Sequence, residues 1–559
     1  MKKIVLFTSM FLFLCIGFSC FQVSANEPVE LETELESRAW GKEWLTYEKS
    51  TERFPDAPTY DYIYENDNSS YTILQYEWSN IGRRGKVMIV TYDKHTNEII
   101  SSKSIVCELP LFGGFYAGDQ YNYIVYGDVN PKGDADVEEI RVVKYDKSFN
   151  KISHFSLSNY GINEPFHSGY VRMAEIGNQL LIHTSKTANI RAAMSGHQMQ
   201  LSILLDTDTM TMINTWKSQY NHVSHSFNQF VLADEDKFVM LDHGDGYPRS
   251  VCLQIFEENI NVDLFNMPGD IGANCTGILV GGFEQSKNNY LATINTIEHN
   301  KVSEYTSYEM IGLDKDERDV IILVQNKNLR DKTKHIKLTD YINHNKSASV
   351  PYLVKISDDK FAVLWHEFEF DGDKVNEECV LKGTTIDGEG NQLMGIKTFD
   401  GLLLNDDCQP AIIDGKLTWF VDYKRIENGV EHYKELYTID VKDLAIGVEL
   451  DGERITFDQD PILTNGRTLV PLRAIFEKLG AQVQWDAETQ TVKATKGDTT
   501  ITLTINDVTA YKNDESITLD VPGKIVNGRT LVPLRFVSDC FDTDVQWNAE
   551  YQKVILTTK

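Results

Sequence analysis

One nine-residue string occurs twice in this chain without change. Asn465-Gly466-Arg467-Thr468-Leu469-Val470-Pro471-Leu472-Arg473 returns 62 positions later as Asn527-Gly528-Arg529-Thr530-Leu531-Val532-Pro533-Leu534-Arg535. The register holds beyond the string, since Val483-Gln484-Trp485-Asp486 matches Val545-Gln546-Trp547-Asn548. Identity at that length and offset means internal duplication, so the C-terminal part folds as two copies of one unit, about residues 448–497 and 510–559.

The unit can be read from its residues. Asn-Gly is the strongest short hairpin signal because both residues tolerate positive φ. Thr-Leu-Val then makes a short strand. Pro471 and Pro533 suit the first turn of a helix, where a missing N–H costs nothing. Leu472, Ile475, Phe476 and Leu479 fall at i, i+3, i+4 and i+7, which is one apolar helix face. Gly480 is placed to end that helix. Val483 and Trp485 alternate as a strand, Asp486 opens a turn, and Thr491-Val492-Lys493-Ala494 returns. Ile501, Leu503 and Ile505 alternate on another strand between the copies. The expected product is a small α+β domain with antiparallel strands and two helices.

Residues 448–559, with the pattern NGRTLVPLR, LGA and VQWD, resemble the copper amine oxidase N-terminal-like domain. The motif residues are Asn465, Gly466, Arg467, Pro471, Arg473 and Trp485, with Asn527, Gly528, Arg529, Pro533, Arg535 and Trp547. The second copy departs where Phe541-Asp542-Thr543 replaces Leu-Gly-Ala, which removes the glycine cap. The resemblance implies an exported protein on the surface of a Gram-positive-type bacterium. It does not imply oxidase activity, for which a quinone-forming Tyr within Asn-Tyr-Asp/Glu and a His-x-His copper pair are needed. Every Asn-Tyr here precedes Ile124, Gly161 or Leu291, and no His-x-His occurs. No cofactor is expected.

The front of the chain reads differently. Lys2 and Lys3, the apolar run Ile4–Phe21 and the small-x-small exit Val23-Ser24-Ala25 make a secretory signal peptide over 1–25. An uncleaved anchor helix or lipidation at Cys20 are the alternatives. After cleavage 534 residues remain, and no other run approaches 18 apolar residues. No transmembrane segment is therefore expected in the mature chain, and the extracellular space or cell surface is its expected place. The net charge of −29 becomes −31 once the two lysines leave, which excludes a nucleic-acid partner and suits a soluble exported protein. A cell-envelope polymer or another surface protein is the expected kind of partner.

Residues 26–60, rich in glutamate, read as an acidic solvated leader. From 61 to 445 the texture is all-β. Apolar strands such as Leu180-Leu181-Ile182, Phe238–Leu241, Phe361–Trp365 and Leu417–Val421 recur every 45–60 residues or so, each followed by a strand ending in a polar turn. This is the repeat signature of a β-propeller of about seven blades; two stacked β-sandwiches are the alternative. The chain is thus read as mainly β: a propeller, then a small α+β domain.

Histidines recur at similar points of successive units. His167, His183, His197, His225 and His243, with Asp245 and Arg249, are the candidate ligand-binding residues, because equivalent positions of a propeller gather on one face. The competing reading gives each His a strut role between strands. His222-x-x-His225 is a weaker pair, and Asp206, Asp208, Asp234, Asp236, Asp371 and Asp373 sit in turns without a calcium-loop spacing. No G-x-S-x-G, Walker or dinucleotide motif is present. No catalytic residue and no resident metal are assigned. Cys107, Cys252, Cys275, Cys379, Cys408 and Cys540 include no C-x-x-C, and they leave room for one or two disulfides of undecided pairing. A non-catalytic surface protein is the favoured reading, and a polysaccharide lyase or hydrolase with a His-lined site is the alternative.

Overall fold

The computed structural model describes residues 29–30, 61–66, 69–77, 84–188, 197–217, 223–258, 260–306, 309–372, 374–405, 408–427, 430–464, 466–526, 528–541, 543–549 and 552–559. The expected signal peptide, most of the leader, His222, Asp373, Asn465, Asn527 and Asp542 lie outside them.

The apolar runs form strands because both of their faces are buried. In Gln179–Ala188, Leu180 and Ile182 pack toward the preceding sheet, while Leu181 packs toward the following one. Alternation with period two, but apolar on both sides, is what a strand between two packed sheets requires. The same holds for Val239 and Met240 and for Val363 and Leu364, which enter different apolar layers.

Among the described residues, seven antiparallel sheets follow in chain order: 61–106, 111–158, 164–216, 226–266, 278–337, 346–399 and 411–440. Each is a meander whose first strand lies innermost. The inner strands of the second to sixth sheets touch in succession, and Ala411–Ile413 of the seventh sheet meets Asp61–Glu65 of the first. An apolar layer fills each gap between neighbouring sheets; Leu74 and Ile89 face Phe112 and Ile124, for example. These sheets are therefore blades of a β-propeller, and the sandwich alternative is excluded. Val29–Glu30 pair antiparallel with Leu436 and Glu435 at the outer edge of the seventh blade. These two residues of the expected solvated leader are a strand that latches the ring.

The duplicated segment forms three sheets and two helices, α1 (Leu472–Lys478) and α2 (Leu534–Phe541). Leu472, Ile475, Phe476 and Leu479 are buried as the periodicity predicts. Pro471 is the N-cap of α1, one residue earlier than expected, and Gly480 follows the C-cap with φ +87°. Thr464 pairs with Arg467, and Gly466 takes φ +70°, as a two-residue hairpin loop demands. The strands are not all antiparallel, contrary to expectation. Gly447–Leu450 runs parallel to Lys553–Thr558, because the last hairpin of repeat two closes on the first strand of repeat one.

The module docks on the sixth blade. Lys360 Nζ lies 2.8 Å from Asp460 Oδ2, and Leu463 N donates to Leu393 O. Gly395 N donates to Gln552 Oε1 at 2.8 Å, and the Leu393 side chain packs on Ile462, Leu469, Val521 and Leu531. Cys107, Cys252, Cys275, Cys379, Cys408 and Cys540 are free thiols, so no disulfide forms among the described residues. No helix among the described residues is long and apolar enough to cross a membrane.

Candidate functional site

A strand of the third blade, the loop entering the fourth, the loop between the second and third strands of the fourth and the loop entering the fifth interlock at one end of the ring. His225 N donates to Gln198 O, Asp245 N to His225 O and Gly246 N to Ser224 O. Ser224 N donates to Tyr247 O, and Gly272 N to Asp245 O. At Gly246 a Cβ would stand 2.4 Å from Ser224 O, so only glycine permits this approach.

His197, His225 and Asp245 meet on this frame. The two imidazoles lie 4.8 Å apart between ring centroids. His225 Nδ1 is 2.8 Å from Oδ1 of the buried Asp245, and His197 Nε2 is 3.0 Å from Ser224 Oγ. His225 has φ +56°, a left-handed backbone that non-glycine residues adopt at a cost and that clusters at functional sites. Arg249 braces the frame from beneath. Its Nε donates to Pro268 O, its Nη1 to Asp245 O and its Nη2 to Cys275 O, and its guanidinium lies over the Tyr305 ring. Tyr247 and Ile271, each 70% exposed, project from the same loops. The arrangement offers an oriented imidazole, an aromatic ring and an aliphatic side chain on backbone that cannot easily shift.

The other candidate histidines do not join it. His183 is fully buried, with Nδ1 2.9 Å from Ser202 Oγ and Nε2 3.1 Å from Asp242 Oδ2. Asp242 in turn accepts from Ser226, so His183 ties the third blade to the fourth. His243 is buried against Thr276 and Asn228. Burial, then the charges of Arg249 and Arg318, push its imidazolium down to about 3, so the ring is neutral. His167 is a surface residue 3.1 Å from Glu164. His366 accepts from Leu404 N, and burial lowers it to about 4. His183 and His243 thus each hydrogen-bond between neighbouring blades. Among the described residues no group of three or more His, Cys, Asp or Glu side chains is placed to hold a metal. The Asp turns are occupied locally: Asp206 caps Thr209, and Asp234 receives Lys327 and Tyr290.

Sequence reading passed over His299 and the exposed pair Tyr247 and Ile271. His299 bonds Tyr305 OH at 2.7 Å and Thr296 Oγ1 at 3.1 Å, and burial lowers it to about 4. The tripeptide Gly246-Tyr247-Pro248 was the available signal, since an aromatic residue in a tight Gly/Pro turn has little chance of burial.

In the module the repeats exchange ion pairs. Arg467 Nε lies 2.8 Å from Asp520 Oδ2, and Arg529 Nε lies 2.7 Å from Asp458 Oδ2, the residue 62 positions before Asp520. Arg535 also reaches Asp520, at 3.3 Å. Arg473 is exposed, as are Trp485 (38%) and Trp547 (42%).

The family model described as copper amine oxidase N-terminal domain matches residues 449–556. A curated protein named "Protease inhibitor", from Brevibacillus choshinensis, is 33% identical over 112 residues. That match covers 19% of this chain, which spans about a third of the relative's length (32%). Among solved structures, the Dos1 propeller aligns at TM-score 0.33 and 9% identity, covering 60% of this chain and 68% of that one. The propeller domain of the Pyrococcus furiosus Trilobed protease aligns at 0.30 and 10%, covering 61% and 96%. Penicillium chrysogenum α-L-arabinanase aligns at 0.30 and 10%, covering 59% and 88%. Residues 449–556 thus match the copper amine oxidase N-terminal domain, and they are joined to a β-propeller.

Proposed function

We propose that this is an exported, non-catalytic surface protein whose propeller binds a partner through the rim of blades three to five, while the C-terminal module serves as an envelope-associated appendage. The observation that carries the reading is the exposure of Tyr247 and Ile271 on backbone locked by Gly246, Asp245 and Arg249. Aromatic and aliphatic anchors on a rigid support bind at low entropic cost. The relative's name, protease inhibitor, is in keeping with binding without catalysis. The test is cosedimentation of the full mature chain with cell envelopes of the producing organism. Tyr247→Ala with Ile271→Ala is expected to lower the pelleted fraction while the melting temperature holds. A double variant that pellets like the parent rejects the rim as the contact surface.

A second reading, hydrolysis or elimination on a polysaccharide, rests on the Asp245–His225 pair. The buried carboxylate orients an imidazole and leaves Nε2 on the opposite side of the ring, the geometry of a general base. Turnover of a purified glycan that disappears in His225→Asn would favour it over the binding reading.

A further inference from the structure

Trp485 and Trp547 are equivalent positions on equivalent strands, Gln482–Asp486 and Thr543–Asn548, and both indoles are exposed. Near Trp547 stands the Arg467–Asp520 pair made across the repeats; its counterpart by repeat position is Arg529–Asp458. On the Trp547 side the surface is hollowed into an open cleft of about 1100 Å³, which Trp547, Arg467, Asp520 and Arg535 line with Lys512 and Glu515.

We infer that this module binds a neutral polysaccharide, with one Trp face on each repeat. Three features select that ligand class. The lining offers both guanidinium donors and carboxylate acceptors, and a sugar hydroxyl uses both at once. Its charged side chains balance in sign, four basic (Arg467, Lys512, Arg535, Lys559) against four acidic (Glu515, Asp520, Asp539, Asp544), in a chain of net charge −29. A strongly charged polymer therefore gains nothing there. An exposed indole gives a flat apolar platform with a polar edge, a shape that suits a pyranose ring. Repetition decides between a polymer and a single protein partner. Two tryptophans at repeat-equivalent positions suit a ligand that repeats along its length, and joint engagement raises the overall affinity.

The inference extends the appendage role proposed above, and its test isolates the module within the full mature chain. Retention is measured on three insoluble neutral probes: chitin, cellulose and a β-1,3-glucan. At least one is expected to retain the parent. Trp547→Ala and Trp485→Ala are each expected to weaken retention about tenfold, and the double variant to lose it. Tyr247→Ala with Ile271→Ala should bind the same probe unchanged, so a failure of the propeller reading stays distinct. All four variants should melt within a degree or two of the parent, since the altered side chains are exposed. The idea is overturned if none of the three probes retains the parent, if the double Trp variant is retained equally, or if polyglutamate or polylysine beads retain the parent and the glycans do not.

Discussion

Val470 lies directly opposite Val532 in an antiparallel pair, and these are the same residue of the two repeats. A local two-fold axis therefore passes through that pair. It explains why Leu469 meets Pro533 while Pro471 meets Leu531. It also explains why each repeat's arginine finds its aspartate in the other copy. Neither repeat completes its sheet alone.

The joint between the repeats is held by apolar packing more than by those ion pairs. Phe476 of α1 stands 4.8 Å from Phe541 and 6.4 Å from Phe536 between ring centroids, and Phe476 is fully buried. Phe476→Ala should cost about 3–5 kcal/mol. Asp458→Asn and Asp520→Asn break exposed pairs and should cost about 0.2–1 kcal/mol each. Urea unfolding followed by tryptophan fluorescence separates these ranges.

Gly246 and Gly177 make a matched pair. A methyl at Gly246 would meet Ser224 O, whereas at Gly177, with φ +59°, it meets nothing within 4 Å. Gly246→Ala should destabilise by about 1–3 kcal/mol, displace the Tyr247 loop and reduce envelope cosedimentation. Gly177→Ala should cost about 1 kcal/mol through backbone strain alone and leave cosedimentation intact. Melting curves and pelleting assays on both variants check this.

Acid should weaken the fold before most carboxylates titrate. His243, His299 and His366 stay neutral in the native state down to about 3, 4 and 4, but each takes up a proton near its ordinary 6.5 when unfolded. Their stabilisation is complete above 6.5 and is lost as pH falls toward those values. Glu284 acts oppositely. Burial raises it from 4.5 to about 7, so its contribution is present below 4.5 and is lost as pH rises through 7. Three protons taken up against one released leave a net uptake of about two on unfolding, roughly 2.7 kcal/mol per pH unit. The urea midpoint should therefore fall from pH 6.5 to 5, and His366→Gln should flatten the slope. A midpoint that is level or rises across that window contradicts the assignment.

The strand Val29–Glu30 covers the edge of the seventh blade. Removing residues 26–31 should expose the backbone of Glu435 and Leu436 and lower the melting temperature by several degrees, with concentration-dependent association through the bare edge. Light scattering and calorimetry on the truncated chain test both effects.

Local features were legible without the fold. The Asn-Gly turns, the apolar face of α1 and the strands at Leu180 and Phe361 depend on residues within a turn or a strand of one another, and period and backbone freedom record such neighbours directly. The duplication needed only comparison of the chain with itself. The sorting of the histidines was not legible. His183 and His225 look alike in sequence, each beside a serine or a short polar run. One is a strut because Asp242, 59 residues away, reaches it across a blade boundary, and the other stands at the rim because Asp245 turns it outward. The latch at Val29, the parallel pairing of Gly447–Leu450 and the exchange of aspartates between repeats have the same character. Spacing along the chain determined the elements and their repeat. Contact between distant segments, which decides burial and hydrogen-bond partners, was left to the tertiary structure, because a side chain's environment is built by whatever packs against it.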